Sequence, residues 1–304
     1  MALVLVNKQV YAADSYTRQQ DVIYGRKFGM ALTMDVFRPT THPNHAGIIW
    51  CVSGGWFSSH ESINTPALLR AIDSLTSRGY TVFAVVHGSQ PRFTITDAVA
   101  DMHRSVRFIR YHAHDYDIDP NRLGITGGSA GGHLSLMMGV RAISGNPNNP
   151  DPVEQQESRI EAVACFFPPT DFLNYGVPGK LAWETNLNWL LPPFDFQKEN
   201  KNHQFILLTG KEKLLAAMMV SPIYSITSQS APTLIIHGDA DVLVPIEQSQ
   251  KFIAKLKAAG VPAELIVKPG KNHGWPDMQS DMQPIGDWFD RYLLQAPATQ
   301  KAAP

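Results

Sequence analysis

Residues 124–135 read Gly-Ile-Thr-Gly-Gly-Ser-Ala-Gly-Gly-His-Leu-Ser, five glycines around Ser129. The stretch follows a short apolar run at 123–126 and precedes a helix-patterned run at 130–143. A glycine-rich turn between strand and helix has two uses. It can cradle an anion at the helix N-terminus, or it can bend so sharply that one side chain stands clear of the backbone. A phosphate loop ends in Gly-Lys-Ser/Thr, and no lysine is present in this stretch. The dinucleotide fingerprint, counted from Gly127, meets Ser129 where it needs glycine. The pattern Gly-x-Ser-x-Gly at 127–131 has a steric reason instead. A bend at one residue brings the positions two before and two after it close together, so both must be small. The spacing predicts a strained, exposed Ser129. It also turns the Ala130 N–H toward the same space, where developing negative charge could be met.

The surrounding pattern is strand, turn, helix, repeated. Residues 20–27 and 31–37 alternate as an antiparallel edge hairpin would. Runs at 46–52, 81–86, 160–167, 233–237 and 263–267 read as buried strands. Helical spacing appears at 66–78, 97–113, 246–259 and 280–294. This predicts an α/β chain, with a mostly parallel central sheet flanked by helices. Sites in such sheets lie at the carboxyl ends of the strands. A length of 304 residues suits one domain over 1–304, with a flexible tail at 295–304. Residues 168–221 break the rhythm with prolines, asparagines and Tyr175, Trp183, Trp189, Phe194 and Phe196. They read as an insertion, helical near 179–187 and 211–219. It is either packed on the body or a lid shaping a pocket, and the lid is the expectation, because long loops in compact domains tend to be functional.

A serine hydroxyl attacks well only when a base takes its proton and a third group orients the base. On this fold the order is serine, acid, histidine, with the last two after late strands. The run 233–236 leads into His237-Gly-Asp-Ala-Asp241, and the run 263–267 leads into Lys268-Pro-Gly-Lys-Asn-His273-Gly-Trp275. His273 is the expected base. Asp241, two residues beyond the strand-end Asp239, is the expected acid, and Asp239 reads as a turn residue. His237 reads as a packing residue. His133, one helical turn after Ser129, points along its helix. His87 ends a central strand and is expected to line a pocket with Trp56 and Trp275.

Backbone donors for a reacting oxygen are expected in the turn after 46–52, Val52-Ser53-Gly54-Gly55-Trp56-Phe57. Glycine lets the backbone approach closely there. Gly54, Gly55 and Ala130 are the expected donors, with the choice among Gly54, Gly55 and Trp56 open.

Composition removes other classes of function. Formal net charge is −1 and no basic run appears, so binding to nucleic acid or anionic membrane is not indicated. No stretch is long and apolar enough to span a bilayer. The opening Met-Ala-Leu-Val-Leu-Val lacks a preceding basic segment and is not a signal peptide as it stands. Localisation stays open, as does oligomeric state, a homodimer included. Cys51 and Cys165 sit in apolar runs and read as buried thiols, without ligand spacing for a metal. No metal and no organic cofactor is expected.

These residues resemble the α/β-hydrolase family, in its esterase/lipase-type members of the hormone-sensitive-lipase and bacterial feruloyl-esterase-like groups. The resemblance covers roughly residues 25–294. It rests on Asp101 to Arg110 leading to Tyr116-Asp-Ile-Asp-Pro-Asn-Arg122, on Gly127-Gly-Ser-Ala-Gly-Gly-His133, on His237-Gly-Asp-Ala-Asp241 with Val244-Pro245, and on His273-Gly-Trp275. It implies Ser129 as nucleophile, Asp241 as acid and His273 as base. Gly55 and Ala130, with Gly54, would form the oxyanion hole. It implies a small-molecule ester as substrate and a carboxylesterase reaction through an acyl-enzyme. Feruloyl or acetyl-xylan esters are the specific alternative. Aryl formamidase activity and a non-catalytic hydrolase-fold binding protein are lesser ones. The family often carries His-Gly-Gly-Gly before the oxyanion turn. Here Val52-Ser53-Gly54-Gly55 stands there, without the histidine that usually braces the loop.

Overall fold

The structure, a computed structural model, describes residues 15–185 and 192–295. An eight-stranded sheet forms its centre. In chain order its strands are β1 (Tyr16–Lys27), β2 (Met30–Pro39), β3 (Gly47–Val52), β4 (Thr81–Val86), β5 (Leu123–Thr126), β6 (Ala162–Phe166), β9 (Thr233–Gly238) and β10 (Ala263–Lys268). A separate hairpin, β7 (Gln197–Glu199) with β8 (Phe205–Leu207), lies outside it. The spatial order is β1-β2-β4-β3-β5-β6-β9-β10. β1 and β2 are antiparallel to their neighbours, and β4 through β10 pair in parallel. The expected edge hairpin and mostly parallel sheet are both present.

Alternation along the strands explains the two layers of helix. On one face Ile49, Phe83, Ile125, Val163 and Ile235 pack against α3 (Ile95–Tyr111), α4 (Ala130–Val140) and α6 (Glu247–Ala258). On the other, Ile48, Val82, Ala164 and Ile236 pack against α2 (Pro66–Thr76) and α7 (Met282–Phe289). Side chains one residue apart point to opposite faces, so strands covered on both sides read as continuous apolar runs. The helices carry their own start signals. Thr65 caps α2, with Pro66 as its first residue, and Thr94 with Asp97 forms a capping box on α3. A short α1 (His60–Ile63) precedes α2, and α5 (Gly210–Met219) lies in the insertion.

The insertion departs from expectation in two ways. Near 179–187 the described residues form only a single turn at Ala182–Glu184. The hairpin β7–β8 was not foreseen. Trp189 and the rest of the predicted helix fall outside the described residues, as do 1–14 and 296–304. The helix expected over 280–294 is α7 followed by a wider turn, Asp290–Leu294. Cys51 and Cys165 are buried free thiols, as the sequence suggested. Among the described residues no helix is long and apolar enough to cross a membrane.

Candidate active site

Ser129 stands between β5 and α4 with φ 53° and ψ −118°, a left-handed conformation rare for a residue with a side chain. The glycines around it each answer a separate contact. A Cβ on Gly127 would lie 2.7 Å from the Gly131 carbonyl carbon. One on Gly131 would lie 2.6 Å from the Cys51 carbonyl oxygen in β3, and one on Gly132 would lie 2.8 Å from the Phe166 oxygen. The bend is thus wedged between two parallel strands, and the Ser129 N–H donates to the Phe166 carbonyl at 3.0 Å.

Three loops at the carboxyl ends of β5, β9 and β10 meet here. His273 Nδ1 lies 2.7 Å from Asp241 Oδ2, and His273 Nε2 lies 2.8 Å from Ser129 Oγ. A carboxylate only accepts, so Nδ1 carries the proton and Nε2 is left to accept from the Ser129 hydroxyl. The other oxygen of Asp241 accepts from the Leu243 and Val244 N–H groups, both at 2.9 Å. Burial alone would raise this carboxyl. Hydrogen bonds from His237, His273 and the Val244 N–H outweigh burial and hold it well below the usual carboxylate range. Phe167, directly after β6, lies over the His273 ring with centroids 4.5 Å apart.

Asp239 instead accepts from the Gly270 N–H at 2.6 Å, a link between the two loops. His237 is fully buried. Its Nε2–H is shared between the Val244 carbonyl at 2.9 Å and Asp241 Oδ2 at 3.3 Å, and its Nδ1 meets Ser249 Oγ at 2.7 Å.

The turn after β3 is closed by reciprocal bonds between Gly54 and Phe57, both 2.9 Å. Its central residues are left-handed, Gly55 at φ 56° and Trp56 at φ 57°, as a tight hairpin turn of the primed kind requires. The closure corrects one expectation. The Gly54 N–H is already spent on the Phe57 carbonyl, so it is not available to a reacting oxygen. The N–H groups of Gly55, Trp56 and Ala130 meet no acceptor among the described residues.

One further expectation is corrected by where the ring lies. His87 does not line the cavity. It is buried beneath the turn, where its Nδ1–H donates to the Gly88 carbonyl at 2.8 Å and its Nε2 accepts from the Ser53 hydroxyl at 2.8 Å. Burial holds this imidazole neutral, with its pKa lowered to about 4. His87 thus braces the turn that lacks the usual loop histidine. Trp56 lines the cavity as expected, and its ring is buried among His133, Phe172 and Phe194. The indole N–H needs a partner there, and it donates to His133 Nδ1 at 3.2 Å. His133 passes the link on, donating from Nε2 to the Val220 carbonyl at 2.7 Å, at the end of α5.

The lid expectation changes with this contact. From the described part of 168–221, only Pro169 lines the cavity at Ser129. Phe172, Phe194 and Val220 instead support the Trp56–His133 pair from behind, so this part of the insertion is a buttress.

The cavity holds about 700 Å³ and includes Ser129, His273, Gly55 and Trp275 in its lining. Trp275 is placed as expected, and its N–H donates to Asp281 at 2.7 Å. Sequence reasoning missed Ser53, Phe167 and the helix residues of the lining, Leu68, Met278 and Met282. Phe167 had a signal, its place right after a parallel strand.

A family model described as BD-FAE matches residues 34–256. The probable carboxylic ester hydrolase LipM of Mycobacterium tuberculosis is 25% identical over 248 residues, covering 80% of this chain and 52% of that protein. The chain spans about half the length of the curated relatives it matches. Among solved structures, a truncated carbohydrate esterase from gut microbiota superposes with a TM-score of 0.74 at 24% identity, covering 93% of this chain and 99% of that one. An acetyl ester-xyloside bifunctional hydrolase from Caldicellulosiruptor lactoaceticus gives 0.71 at 23% identity, covering 95% and 100%. With the match running from β2 through most of α6, the chain belongs to the BD-FAE family and has an α/β-hydrolase fold.

Proposed function

We propose that the protein is a serine carboxylic-ester hydrolase that works through an acyl-enzyme on Ser129. The observation that carries this reading is the unbroken chain from Ser129 Oγ through His273 to Asp241, at 2.8 and 2.7 Å, ending at a strained bend. The Ser129 oxygen attacks the ester carbonyl carbon while its proton passes to His273 Nε2. Asp241, kept ionised by its donors, stabilises the imidazolium and fixes its orientation. The carbonyl oxygen takes on negative charge facing the free N–H groups of Ala130 and of Gly55 or Trp56. Each such donor is worth about 10²–10³ in kcat. Collapse of the intermediate expels the alcohol, which takes the proton from His273. Water then attacks the acyl-enzyme by the same proton route and frees Ser129.

A non-catalytic hydrolase-fold protein would not need the strained serine, the aligned base and the unspent donors together. Two solved neighbours are a carbohydrate esterase and an acetyl ester-xyloside hydrolase, but at 24% and 23% identity they carry the fold and not the substrate. The test is turnover of a p-nitrophenyl acyl ester by a Ser129→Ala variant. Loss of about 10⁴-fold or more in kcat/KM is expected. Wild-type turnover in the variant would refute the mechanism.

A further inference from the structure

The cavity at Ser129 continues away from the triad into a chamber between α2 and the segment 275–282. Trp50 of β3, Leu68 and Ala71 of α2, and Trp275, Met278 and Met282 form its walls. None of these six bears a charge. The polar side chains of the chamber already have protein partners. The Thr65 hydroxyl donates to the Ser62 carbonyl at 3.0 Å. The two amide hydrogens of Gln279 are spent on the Arg70 carbonyl at 3.1 Å and on Ser74 at 2.8 Å, so the same side chain ties α2 to the opposite wall. Arg70, the one lysine or arginine in the lining, is exposed at the rim.

A sugar ring in such a space would lose water from several hydroxyls and find few free partners, and each unpaired polar group is costly. An alkyl chain or aromatic ring loses nothing comparable and gains by leaving water. The cavity as a whole, triad and chamber together, holds about 700 Å³, in the range of sites that bury a drug-sized molecule and far more than an acetyl group fills. We propose that this chamber binds one extended apolar limb of the ester, alkyl or aryl, and that a carbohydrate limb is kept outside it. The proposal rests on the ester-hydrolase reading for its substrate, but the binding step is independent of the chemistry.

Two measurements separate the two claims. The first compares kcat/KM for p-nitrophenyl octanoate with p-nitrophenyl acetate, and for 2-naphthyl acetate with phenyl acetate. At least a tenfold preference for the larger limb is expected in one series, and the series that responds identifies the acyl or the alcohol side. Filling the chamber by Leu68→Trp or, separately, Met278→Trp should reduce that preference at least tenfold. The second titrates octanoate and 2-naphthol into the Ser129→Ala variant, with and without each filling substitution, and follows binding by isothermal titration calorimetry. Saturable binding that the filling substitutions weaken at least tenfold supports the chamber even if no ester is turned over. Flat or acetate-favouring kinetics, with no saturable binding of either probe, would overturn it.

Discussion

Two glycine-bearing turns face each other across the candidate site, and they are held in opposite ways. The elbow at 127–132 is fixed by backbone against backbone: Gly127 on Gly131, Gly131 on Cys51, Gly132 on Phe166. In the turn at 54–57, by contrast, a Cβ on Gly54 would meet nothing within 4 Å. Closed by its own Gly54–Phe57 bonds, the turn is held in place by side chains from elsewhere: His87 through Ser53, and His133 through Trp56. The elbow therefore has no room for a side chain at any of these three glycines, whether against its own bend or against the flanking strands. The turn borrows its geometry from β4, α4 and the insertion. A steric demand of the first kind tolerates no added atom. A brace of the second kind can be loosened by degrees.

The largest expected effect breaks the elbow. Gly131→Ala places a methyl 2.6 Å from a strand carbonyl, where neither partner is a flexible side-chain end. Activity should fall by about 10²-fold or more, or soluble protein should be lost, since a backbone shift of this kind displaces Ser129 directly. Gly54→Ala is the control and should stay within about 0.5 kcal/mol of wild-type stability. Equal tolerance at the two positions would dissolve the contrast.

A smaller effect is expected from loosening the brace. His87→Ala removes the acceptor of the Ser53 hydroxyl without touching the cavity. A fall of about tenfold in kcat is expected, equivalent to about 1.4 kcal/mol of transition-state stabilisation, with KM nearly unchanged. A lower melting temperature with unchanged kcat would make His87 a packing residue only.

The smallest effect is a slope. His87 and His133 are buried and neutral, each with a pKa lowered to about 4 from 6.5 by desolvation. The unfolded chain takes up these protons near pH 6.5, and the folded protein resists until about pH 4. Their contribution is therefore full above pH 6.5 and is lost as pH falls toward 4. Each costs about 1.4 kcal/mol per pH unit within that window. Denaturant unfolding at pH 7, 6 and 5 should show this decline, and His87→Gln should flatten it. A stability that does not change over the window would contradict the buried neutral assignment.

The same contrast explains what was legible in the sequence. The elbow could be read because its glycine spacing is a local steric requirement. Asp241 and His273 could be read because each follows a strand of a parallel sheet, where such folds gather their chemistry. The mostly parallel sheet followed from apolar runs alternating with helix-patterned stretches, but its strand order did not. His87 was misread because it ends a strand in the same way, yet its ring turns under the neighbouring turn rather than into the cavity. Trp56 was read as a cavity residue and is one, but its bond to His133 was not foreseen, because a buried indole finds its acceptor through the fold and not through neighbouring sequence. Gly54 looked like a free donor because nothing in Ser53-Gly54-Gly55 reveals that Phe57 closes the turn. The chamber was not visible at all, since Leu68, Met278 and Met282 come from two separate segments and follow ordinary helical patterning.

The central claim is that Ser129 is a nucleophile primed by His273 and Asp241. Reaction with a fluorophosphonate probe, followed by intact-mass and peptide mass spectrometry, tests it most directly. One adduct per chain is expected, on the peptide carrying Ser129, with labelling slowed strongly in His273→Ala. An unlabelled chain, or a label on another serine, would contradict it.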